Sequence, residues 1–272
     1  MKRGSMGGKV ALVTGSSRGI GLATAREFAR RGAEVVLNGR GEERLEKARR
    51  TLAGEGYDVE TFRGDVSCPD ESRNMIEHAV SKFGGLDILV NNAGVSMRAN
   101  LEELDPETCK RIVDINLMGC IYPTLYAIPV LKERRGNVVF ISSIAGLLGL
   151  PTGSLYCATK MGLRGLADSL RCELAPAGVH VGIVYVGFTE NDPEKKVTGA
   201  GGEQISPERP GYMSQKDTGI AVVDLVENRK REVALTHVGK LAKFVSWVSP
   251  KLVEDTIILS RKFNISEKLG IR

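Results

Sequence analysis

Residues 10–21 read Val-Ala-Leu-Val-Thr-Gly-Ser-Ser-Arg-Gly-Ile-Gly, and this stretch decides the fold. Val10–Thr14 is a short apolar run that Gly15 ends, and a helical pattern extends from Gly19 to Arg31. Glycines let a chain turn tightly from strand to helix and bring backbone N–H groups against a pyrophosphate. In a chain with 32 glycines the spacing alone is weak evidence, but a strand before it and a helix after it are what a dinucleotide site requires. The predicted cofactor-binding residues of this turn are Gly15, Ser17, Arg18, Gly19, Ile20 and Gly21.

Short apolar segments alternate with helical patterns along the rest of the chain. The further strands are predicted at Ala33–Asn38, Val59–Arg63, Ile88–Asn91, Val138–Ser142, Val179–Val186 and Glu232–Thr236. The helices between them are predicted at Glu42–Leu52, Asp70–Phe83, Pro106–Arg134, Leu155–Ala175 and Gln215–Asn228. Continuously apolar strands that alternate with helices predict an α/β fold, a doubly wound parallel sheet of the Rossmann type with helices on both faces. Ligands of such sheets bind at the carboxyl ends of the strands.

Length and composition narrow the class of protein. The 272 residues fit one domain, which we place at residues 8–272. The net charge is +5 with basic residues dispersed among acidic ones, so we expect no nucleic-acid partner. No apolar run approaches the ~18 residues of a membrane span, and Met1–Gly8 lacks the apolar stretch of a secretory signal. Five cysteines without zinc spacing and three scattered histidines predict no metal site and free thiols in the cytoplasm.

The end of the second strand, Leu37-Asn38-Gly39-Arg40, bears on which nicotinamide cofactor the site takes. An NAD site usually carries an acid about 20 residues after the glycines, to bind the ribose 2′-hydroxyl. Gly39 stands near that place, with Arg40 beside it and Arg18 in the turn. An acid would repel a 2′-phosphate, whereas guanidinium groups bind it. We therefore predict NADP(H) rather than NAD(H), with Asn38 and Arg40 in the site; an Arg40 that is only a solvated loop residue is the alternative.

A tyrosine and a lysine four residues apart, Tyr156 and Lys160, fall on one face of a predicted helix. A nearby ammonium favours the ionised form of a phenol, which makes the tyrosine a usable proton donor and acceptor at neutral pH. Ser143 lies at the carboxyl end of a predicted strand, where its hydroxyl can bind a substrate oxygen as charge develops. Such Tyr–Lys pairs are common on helix surfaces, so the pair indicates a catalytic site only in combination with the other motifs.

Together these motifs resemble the short-chain dehydrogenase/reductase family over roughly residues 8–192. The matching features are the glycine turn, Asp65-Val66 after the third strand, Asn91-Asn92-Ala93-Gly94 after the fourth, Asn116, Ser143 and the Tyr156–Lys160 pair. The resemblance implies a catalytic tetrad of Asn116, Ser143, Tyr156 and Lys160. It also implies direct hydride transfer, without metal, between a nicotinamide ring and a carbonyl or alcohol substrate.

The resemblance implies a role for each member of the site. Tyr156 exchanges the proton and Ser143 polarises the carbonyl, while Lys160 binds the nicotinamide ribose. Asn116 holds a water that links Lys160 to solvent. The residues implied to contact the cofactor beyond the first turn are Asp65 at the adenine, Val66, Asn92, Ala93, Gly94, Tyr156 and Lys160. We expect Asn91 to be structural, an amide that bridges neighbouring strands.

Two regions depart from the family's pattern. After the sixth strand, Val186-Gly187 replaces a Pro-Gly pair, and we retain Gly187 and Thr189 as backbone contacts to the cofactor.

Residues 187–213 are rich in Gly, Pro, Glu and Lys, which predicts a substrate loop or lid.

The C-terminal segment also differs, because residues 238–263 form two amphipathic helical stretches that resemble the hydroxysteroid dehydrogenase and ketosphinganine reductase branch. They either pack, completing an apolar substrate pocket or a dimer interface, or bind a membrane surface. In the membrane alternative Trp247 and Phe244 insert, and Lys240, Lys243 and Lys251 meet the headgroups.

Two other functions remain open. A catalytically silent NADP(H)-binding regulator or scaffold would share the fold but has no need of the complete tetrad. An epimerase or dehydratase would share the cofactor, but such relatives usually carry a separate substrate domain. By resemblance we also expect a homodimer or homotetramer that pairs through Pro106–Arg134 and Leu155–Ala175.

Overall fold

The computed structural model describes residues 4–190, 192, 194–206 and 213–262, and it contains the expected parallel sheet. The seven strands are β1 Val10–Val13, β2 Glu34–Gly39, β3 Val59–Arg63, β4 Ile88–Asn91, β5 Asn137–Ser143, β6 His180–Val186 and β9 Glu232–Ala234. They are hydrogen-bonded in the order β3-β2-β1-β4-β5-β6-β9, and every pair is parallel. A separate antiparallel pair is formed by β7 Val197–Thr198 and β8 Gln204–Ile205. The order reverses between β1 and β4, and the predicted doubly wound sheet is confirmed.

Helices cover both faces of the sheet. They are α1 Gly19–Arg30, α2 Glu42–Gly54, α3 Pro69–Phe83, α4 Pro106–Val113, α5 Gly119–Arg134, α6 Ser154–Leu174, α7 Gln215–Glu227, α8 His237–Val248 and α9 Pro250–Lys262. Neighbouring residues of β1 face opposite sides, so Val10 and Leu12 join one buried cluster while Ala11 and Val13 join the other. This alternation explains why the central strands are continuously apolar in sequence, because both of their faces are buried.

The predicted helical stretch Pro106–Arg134 is present, but it is not α-helical throughout. It consists of α4 and α5 joined by a π-helical turn, Asp114–Met118. A π turn adds a residue to one turn of the helix and often marks a functional position. Here it carries Asn116, whose side chain is bound to the main chain of Val95. The predicted last strand is also shorter than expected, because Thr236 caps α8 by accepting a hydrogen bond from the Gly239 N–H.

The segment Pro106–Arg134 is, in the described part of the chain, the one helix long and apolar enough to cross a membrane. Its most apolar window has a mean hydropathy of 1.2, and 44% of that window is buried inside the protein. The segment packs against α3, β4 and β5, and it contains two internal prolines, Pro123 and Pro129. These contacts identify it as a core helix of the domain.

An ion-pair network ties α7 to α1 at the back of the sheet. Arg31 binds Glu27 of α1 at 2.7 Å and Asp224 of α7 at 2.6 Å, and it also contacts Glu227. The backbones are close here, since a Cβ at Gly219 would lie 2.7 Å from the carbonyl carbon of Ala23. Helix α7 is therefore fixed closely against α1, the helix that follows the glycine turn.

The predicted substrate loop, residues 187–213, contains the β7–β8 hairpin. The Thr198 N–H donates to the Ser96 carbonyl at 2.9 Å, and the Arg98 N–H donates to the Thr198 carbonyl at 2.7 Å. Val197 and Thr198 are buried. The hairpin is thus fixed to the loop that follows β4; residues 191, 193 and 207–212 of the predicted lid lie outside the described residues.

Candidate active site

The first turn of the cleft depends on glycines that no larger residue could replace. Gly15 has a φ of 61°, and a Cβ there would lie 2.8 Å from the Ala93 Cα. A Cβ at Gly21 would lie 2.4 Å from the Gly15 carbonyl oxygen. Both distances are shorter than real Cβ contacts, so the turn requires glycine for close backbone approach. The α1 N-terminus, with Arg18 as its N-cap, faces the cleft.

Hydrogen bonds from the loop after β4 hold this turn in place. Asn92 Nδ2 donates to the carbonyl oxygens of Thr14 at 2.8 Å and Gly15 at 3.1 Å. In return Thr14 Oγ1 accepts from the N–H groups of Asn92 and Ala93, at 2.9 and 3.0 Å. Asn92 therefore positions the turn with its side chain. Thr14, which we did not predict as a site residue, is the buried centre of this link.

Asn38 lines the cleft, but its side chain is engaged with the main chain. Its Oδ1 accepts from the Gly15 N–H at 3.2 Å, and its Nδ2 donates to the carbonyls of Phe62 and Gly64. The residue is 1% exposed. Asn38 thus joins the ends of β2 and β3 to the glycine turn. It lies in the cofactor site as predicted, where its side chain positions the main chain.

The Arg40 end of the cleft carries several charges. Arg40 Nη1 lies 3.4 Å from Asp65 Oδ2, and Asp65 Oδ1 accepts from the N–H and hydroxyl of Ser67. Burial raises the pKa of Asp65, but the hydrogen bonds from Ser67 and the Arg40 charge outweigh burial and hold that pKa below its usual range. Asp65 is therefore an ionised acceptor at neutral pH. A Cβ at Gly39 would lie 3.2 Å from Ser17 Oγ, so the β2 end has little room for a side chain.

The Tyr156–Lys160 pair lies on α6, where this helix passes the carboxyl end of β5. Lys160 is 5% exposed and its Nζ donates to the Ile141 carbonyl at 2.9 Å. The same Nζ lies 5.8 Å from the centroid of the Tyr156 ring. The Tyr156 N–H lies 3.3 Å from Met97 Sδ, which links this end of α6 to the loop after β4. The ammonium is thus held beside the phenol by the strand end.

Ser143 is the last residue of β5. Its Oγ accepts a hydrogen bond from the Ala145 N–H at 3.2 Å and caps the short 3₁₀ turn Ile144–Gly146. A hydroxyl that accepts from the backbone keeps its own proton available for another acceptor. Ser143, Tyr156 and Lys160 all line the same cleft, as predicted for three members of the tetrad.

The fourth predicted member, Asn116, lies behind the cleft wall and is completely buried. Its Oδ1 accepts from the Val95 N–H at 2.7 Å and its Nδ2 donates to the Val95 carbonyl at 2.9 Å. A Cβ at Gly94 would lie 3.1 Å from Asn116 Oδ1 and 3.5 Å from Lys160 Nζ, so these groups surround Gly94. The amide positions the loop beside Lys160. The water link implied by resemblance stays a prediction.

One cleft of about 650 Å³ brings the predicted site together. It is lined by every predicted cofactor residue: Gly15, Ser17, Arg18, Gly19, Ile20, Gly21, Asn38, Arg40, Asp65, Val66, Asn92, Ala93, Gly94, Tyr156, Lys160, Gly187 and Thr189. Gly187 is required by packing, because a Cβ there would lie 2.8 Å from Thr236 at the start of α8. Asn91 differs from expectation, since its Nδ2 donates to Thr124 Oγ1 on α5 at 2.9 Å and bridges strand to helix instead of neighbouring strands.

Sequence reasoning missed several cleft residues. Arg44, on the first turn of α2, lines the cleft beside Gly39–Gly41, and Arg111 of α4 lines it near the hairpin. Arg111 Nη2 donates to Thr198 Oγ1 at 3.2 Å. The sequence feature that could have pointed to Arg44 is its position, within one helical turn after the end of β2. Nothing local marks Arg111, because its position follows from how the hairpin folds back.

These residues fit a nicotinamide dinucleotide. The glycine turn leaves space that a Cβ would fill, and it lies at a helix N-terminus, where pyrophosphates bind. Arg18 Nη1 is shielded from solvent and donates no hydrogen bond to the described residues, which suits a guanidinium with an anion to bind. The turn and Arg18 would hold the pyrophosphate, and Arg40 and Asp65 would then meet the ribose and the adenine, as the resemblance implies.

Comparisons with known proteins agree with this geometry. A family model described as short chain dehydrogenase matches residues 9–200. The 11-beta-hydroxysteroid dehydrogenase-like 4A protein of Arabidopsis thaliana is 41% identical over 186 residues, which are 68% of this chain and 62% of that protein. The 3-oxoacyl-[acyl-carrier-protein] reductase FabG of Staphylococcus aureus is 36% identical over 215 residues, covering 78% and 87%. A short chain dehydrogenase from Burkholderia cenocepacia J2315, solved in complex with NADP, superposes with a TM-score of 0.76 at 29% identity, over 85% and 97%.

Proposed function

The chain belongs to the short-chain dehydrogenase family, and on that premise we propose that it is an oxidoreductase that uses NADP(H) to interconvert a carbonyl and an alcohol. The observation that carries the proposal is the arrangement of Tyr156 and Lys160 beside Ser143 in one cleft with the glycine turn. The match to the Arabidopsis protein spans 62% of that protein's length, so activity, substrate and partners are proposed for this chain from its own residues.

The side chains divide the work of the reaction. The nicotinamide ring, when bound, supplies or accepts the hydride. Tyr156 donates a proton to the carbonyl oxygen in reduction and takes it back in oxidation. Lys160 donates to the Ile141 carbonyl, and this hydrogen bond holds its ammonium beside the Tyr156 ring. Ser143 donates a hydrogen bond to the same substrate oxygen as negative charge develops there.

The preference for NADP(H) over NAD(H) is supported by the end of β2. Gly39 has no side chain, so this position presents no carboxylate that would repel a 2′-phosphate. Arg40 and Arg44 line the cleft next to Gly39. Two of the solved relatives, the Burkholderia protein and a metagenomic short-chain oxidoreductase, are described as complexes with NADP.

The substrate we propose is an apolar carbonyl or alcohol. Val95, Ile115 and Val186 line the cleft together with Tyr156 and Ser143. An apolar ligand that covers such groups gains binding energy in proportion to the area removed from water.

The test is NADPH oxidation across ketones and aldehydes of graded apolar size, with NADH in parallel. We expect turnover with NADPH that rises with substrate size and is lost in Tyr156→Phe. The matched control is Tyr126→Phe, because the Tyr126 hydroxyl lies outside the cleft and contacts Arg73 on α3. Absence of turnover with any carbonyl, with NADPH binding retained, would favour the catalytically silent regulator. An epimerase would transform substrate without net change in NADPH absorbance.

A partner surface is proposed at the C-terminal helices. Leu241, Phe244 and Val248 follow one another at helical spacing on α8 and are 63%, 62% and 58% exposed. The start of α8 packs on the Ile144–Gly146 turn beside Ser143, so the exposed stripe lies on a helix that also borders the site. We propose that this stripe contacts either a membrane surface or a second copy of the chain. The side chains of Lys243 and Trp247, part of the membrane prediction, lie outside the described residues.

Two measurements separate these partners. Co-sedimentation with anionic liposomes should exceed that of Phe244→Ser if the stripe binds a membrane. Light scattering should show a dimer that Phe244→Ser dissociates if it binds a second copy. Pairing through α5 and α6 instead would leave the dimer or tetramer unchanged in that variant. A cytoplasmic location stays a prediction.

A further inference from the structure

Two carboxylates of the substrate loop pair with arginines in the part of the cleft where phosphates are expected, and one of them, Asp192, lines the cleft itself. Asp192 Oδ2 lies 3.5 Å from Arg18 Nη1. The same oxygen lies 3.9 Å from the position that a Cβ of Gly19 would occupy. Gly19 is the first residue of α1, so the carboxylate stands at the helix N-terminus, where anions bind.

The second carboxylate is two residues further along. Glu194 Oε2 lies 3.5 Å from Nη1 of Arg44. Arg44 belongs to the first turn of α2 and lines the cleft beside Gly39, Arg40 and Gly41. This is the end of β2, where the choice between a ribose hydroxyl and a 2′-phosphate is made.

We propose that Asp192 and Glu194 are internal counter-anions that compete with the pyrophosphate and the 2′-phosphate of the cofactor for Arg18 and Arg44. The inference rests on the proposed use of NADP(H) and adds Arg44 to the residues that recognise the 2′-phosphate. It makes the two loop acids determinants of cofactor affinity, although neither belongs to the family's motifs quoted above.

The two ion pairs are of a kind that a phosphate can replace. Arg18 Nη1 faces Asp192 without forming a hydrogen bond, and the Arg44 and Glu194 side chains are 51% and 67% exposed. A phosphate monoester carries about −1.5 to −2 charges at neutral pH and presents several acceptor oxygens. Arginine binds such a group bidentately, which a single carboxylate oxygen at 3.5 Å does not match.

The test is the dissociation constant, measured by fluorescence titration of the full-length protein with NADPH and with NADH. An exposed ion pair changes an equilibrium constant by a factor of about 1.5 to 5. Glu194→Gln should lower the Kd of NADPH by about that factor and leave the Kd of NADH unchanged. Asp192→Asn should lower both, because both cofactors carry the pyrophosphate. Arg44→Gln should raise the Kd of NADPH alone, and it should abolish the effect of Glu194→Gln.

Glu203→Gln is the matched control, since it removes a charge from the same loop, whereas the described ion pairs of Arg18 and Arg44 are with Asp192 and Glu194. Equal changes in Glu203→Gln and Glu194→Gln would overturn the inference, because the effect would then be one of net charge. Unchanged Kd values in both loop variants would overturn it as well. If the wild type binds NADPH with the predicted variant effects but reduces no carbonyl, the proposed catalytic function fails and the competition stands.

Discussion

Gly39→Asp tests directly whether the end of β2 selects the phosphorylated cofactor. The backbone tolerates a side chain at this position, because Gly39 is not among the glycines with positive φ. A Cβ there would approach Ser17 Oγ to 3.2 Å and Ser17 Cβ to 3.3 Å, so the serine must shift by a few tenths of an ångström. An aspartate would then place a carboxylate in the part of the cleft lined by Arg40 and Arg44.

The expected magnitude follows from Coulomb's law. At about 4 Å two unit charges repel by about 1 kcal/mol in bulk water and about 4 kcal/mol at an effective dielectric of 20. The cleft is open to solvent, so a phosphate of about −1.5 to −2 charges should be disfavoured by about 1.5–3 kcal/mol. That range raises the Kd of NADPH by a factor of roughly 10 to 150. The Kd of NADH should stay the same or fall, because a carboxylate can accept hydrogen bonds from the ribose hydroxyls.

The matched control is Gly39→Asn, which has nearly the same shape without the charge. Isothermal titration calorimetry of each variant with NADPH and NADH separates the effect of charge from the effect of crowding. A smaller difference between the NADPH Kd values of Gly39→Asp and Gly39→Asn at high salt would confirm that the difference is electrostatic. If Gly39→Asn and Gly39→Asp weaken NADPH binding equally, crowding of Ser17 is responsible. If neither substitution changes it, the 2′-phosphate does not bind at this strand end and the cofactor assignment is wrong.

Three further predictions concern the buried parts of the site and fold. Asn116→Ala removes two hydrogen bonds from a buried side chain to the part-buried main chain of Val95, so we expect a loss of about 1–3 kcal/mol in unfolding free energy and a lower kcat. Urea denaturation and steady-state kinetics check the two effects, and an unchanged kcat would limit the role of Asn116 to stability. Burial raises the pKa of Cys120 to about 11, so a thiol reagent at pH 8 should label exposed Cys172 but reach Cys120 only after unfolding. The hydrogen bond from Arg30 lowers the pKa of Glu27 despite burial, so this stability contribution is present above the unfolded pKa near 4.5 and is lost as pH falls through the folded value; Glu27→Gln should flatten the acid limb of stability against pH, and an identical limb would contradict it.

Much of the fold could be predicted because its signals are local. The strand Ile88–Asn91 was predicted with its observed bounds, since a strand buried on both faces must be apolar along its length. The edge strand Val59–Arg63 was also predicted with its observed bounds, although only Val59 of this strand is buried. The glycine turn was recognisable because close backbone approach excludes side chains at Gly15 and Gly21 whatever the rest of the chain does. The spacing of Tyr156 and Lys160 likewise follows from the period of one helix.

Contacts between residues far apart in the chain were decided only by the tertiary structure. Sequence placed Asn38 and Asn92 in the cleft, but not the hydrogen bonds that engage their side chains with the glycine turn. The sequence analysis did not predict the π turn at Asn116. The side chain of Asn116 binds the main chain of a distant loop, and the sequence does not show this contact. The pairing of Arg44 with Glu194 spans 150 residues and has no periodicity to reveal it. The sequence determined the sheet, the turn and the reacting helix, because these depend on short-range periodicity and backbone sterics. Which charges meet across the cleft depends on how loops fold back over the sheet, and that is decided by packing and electrostatics of the whole domain.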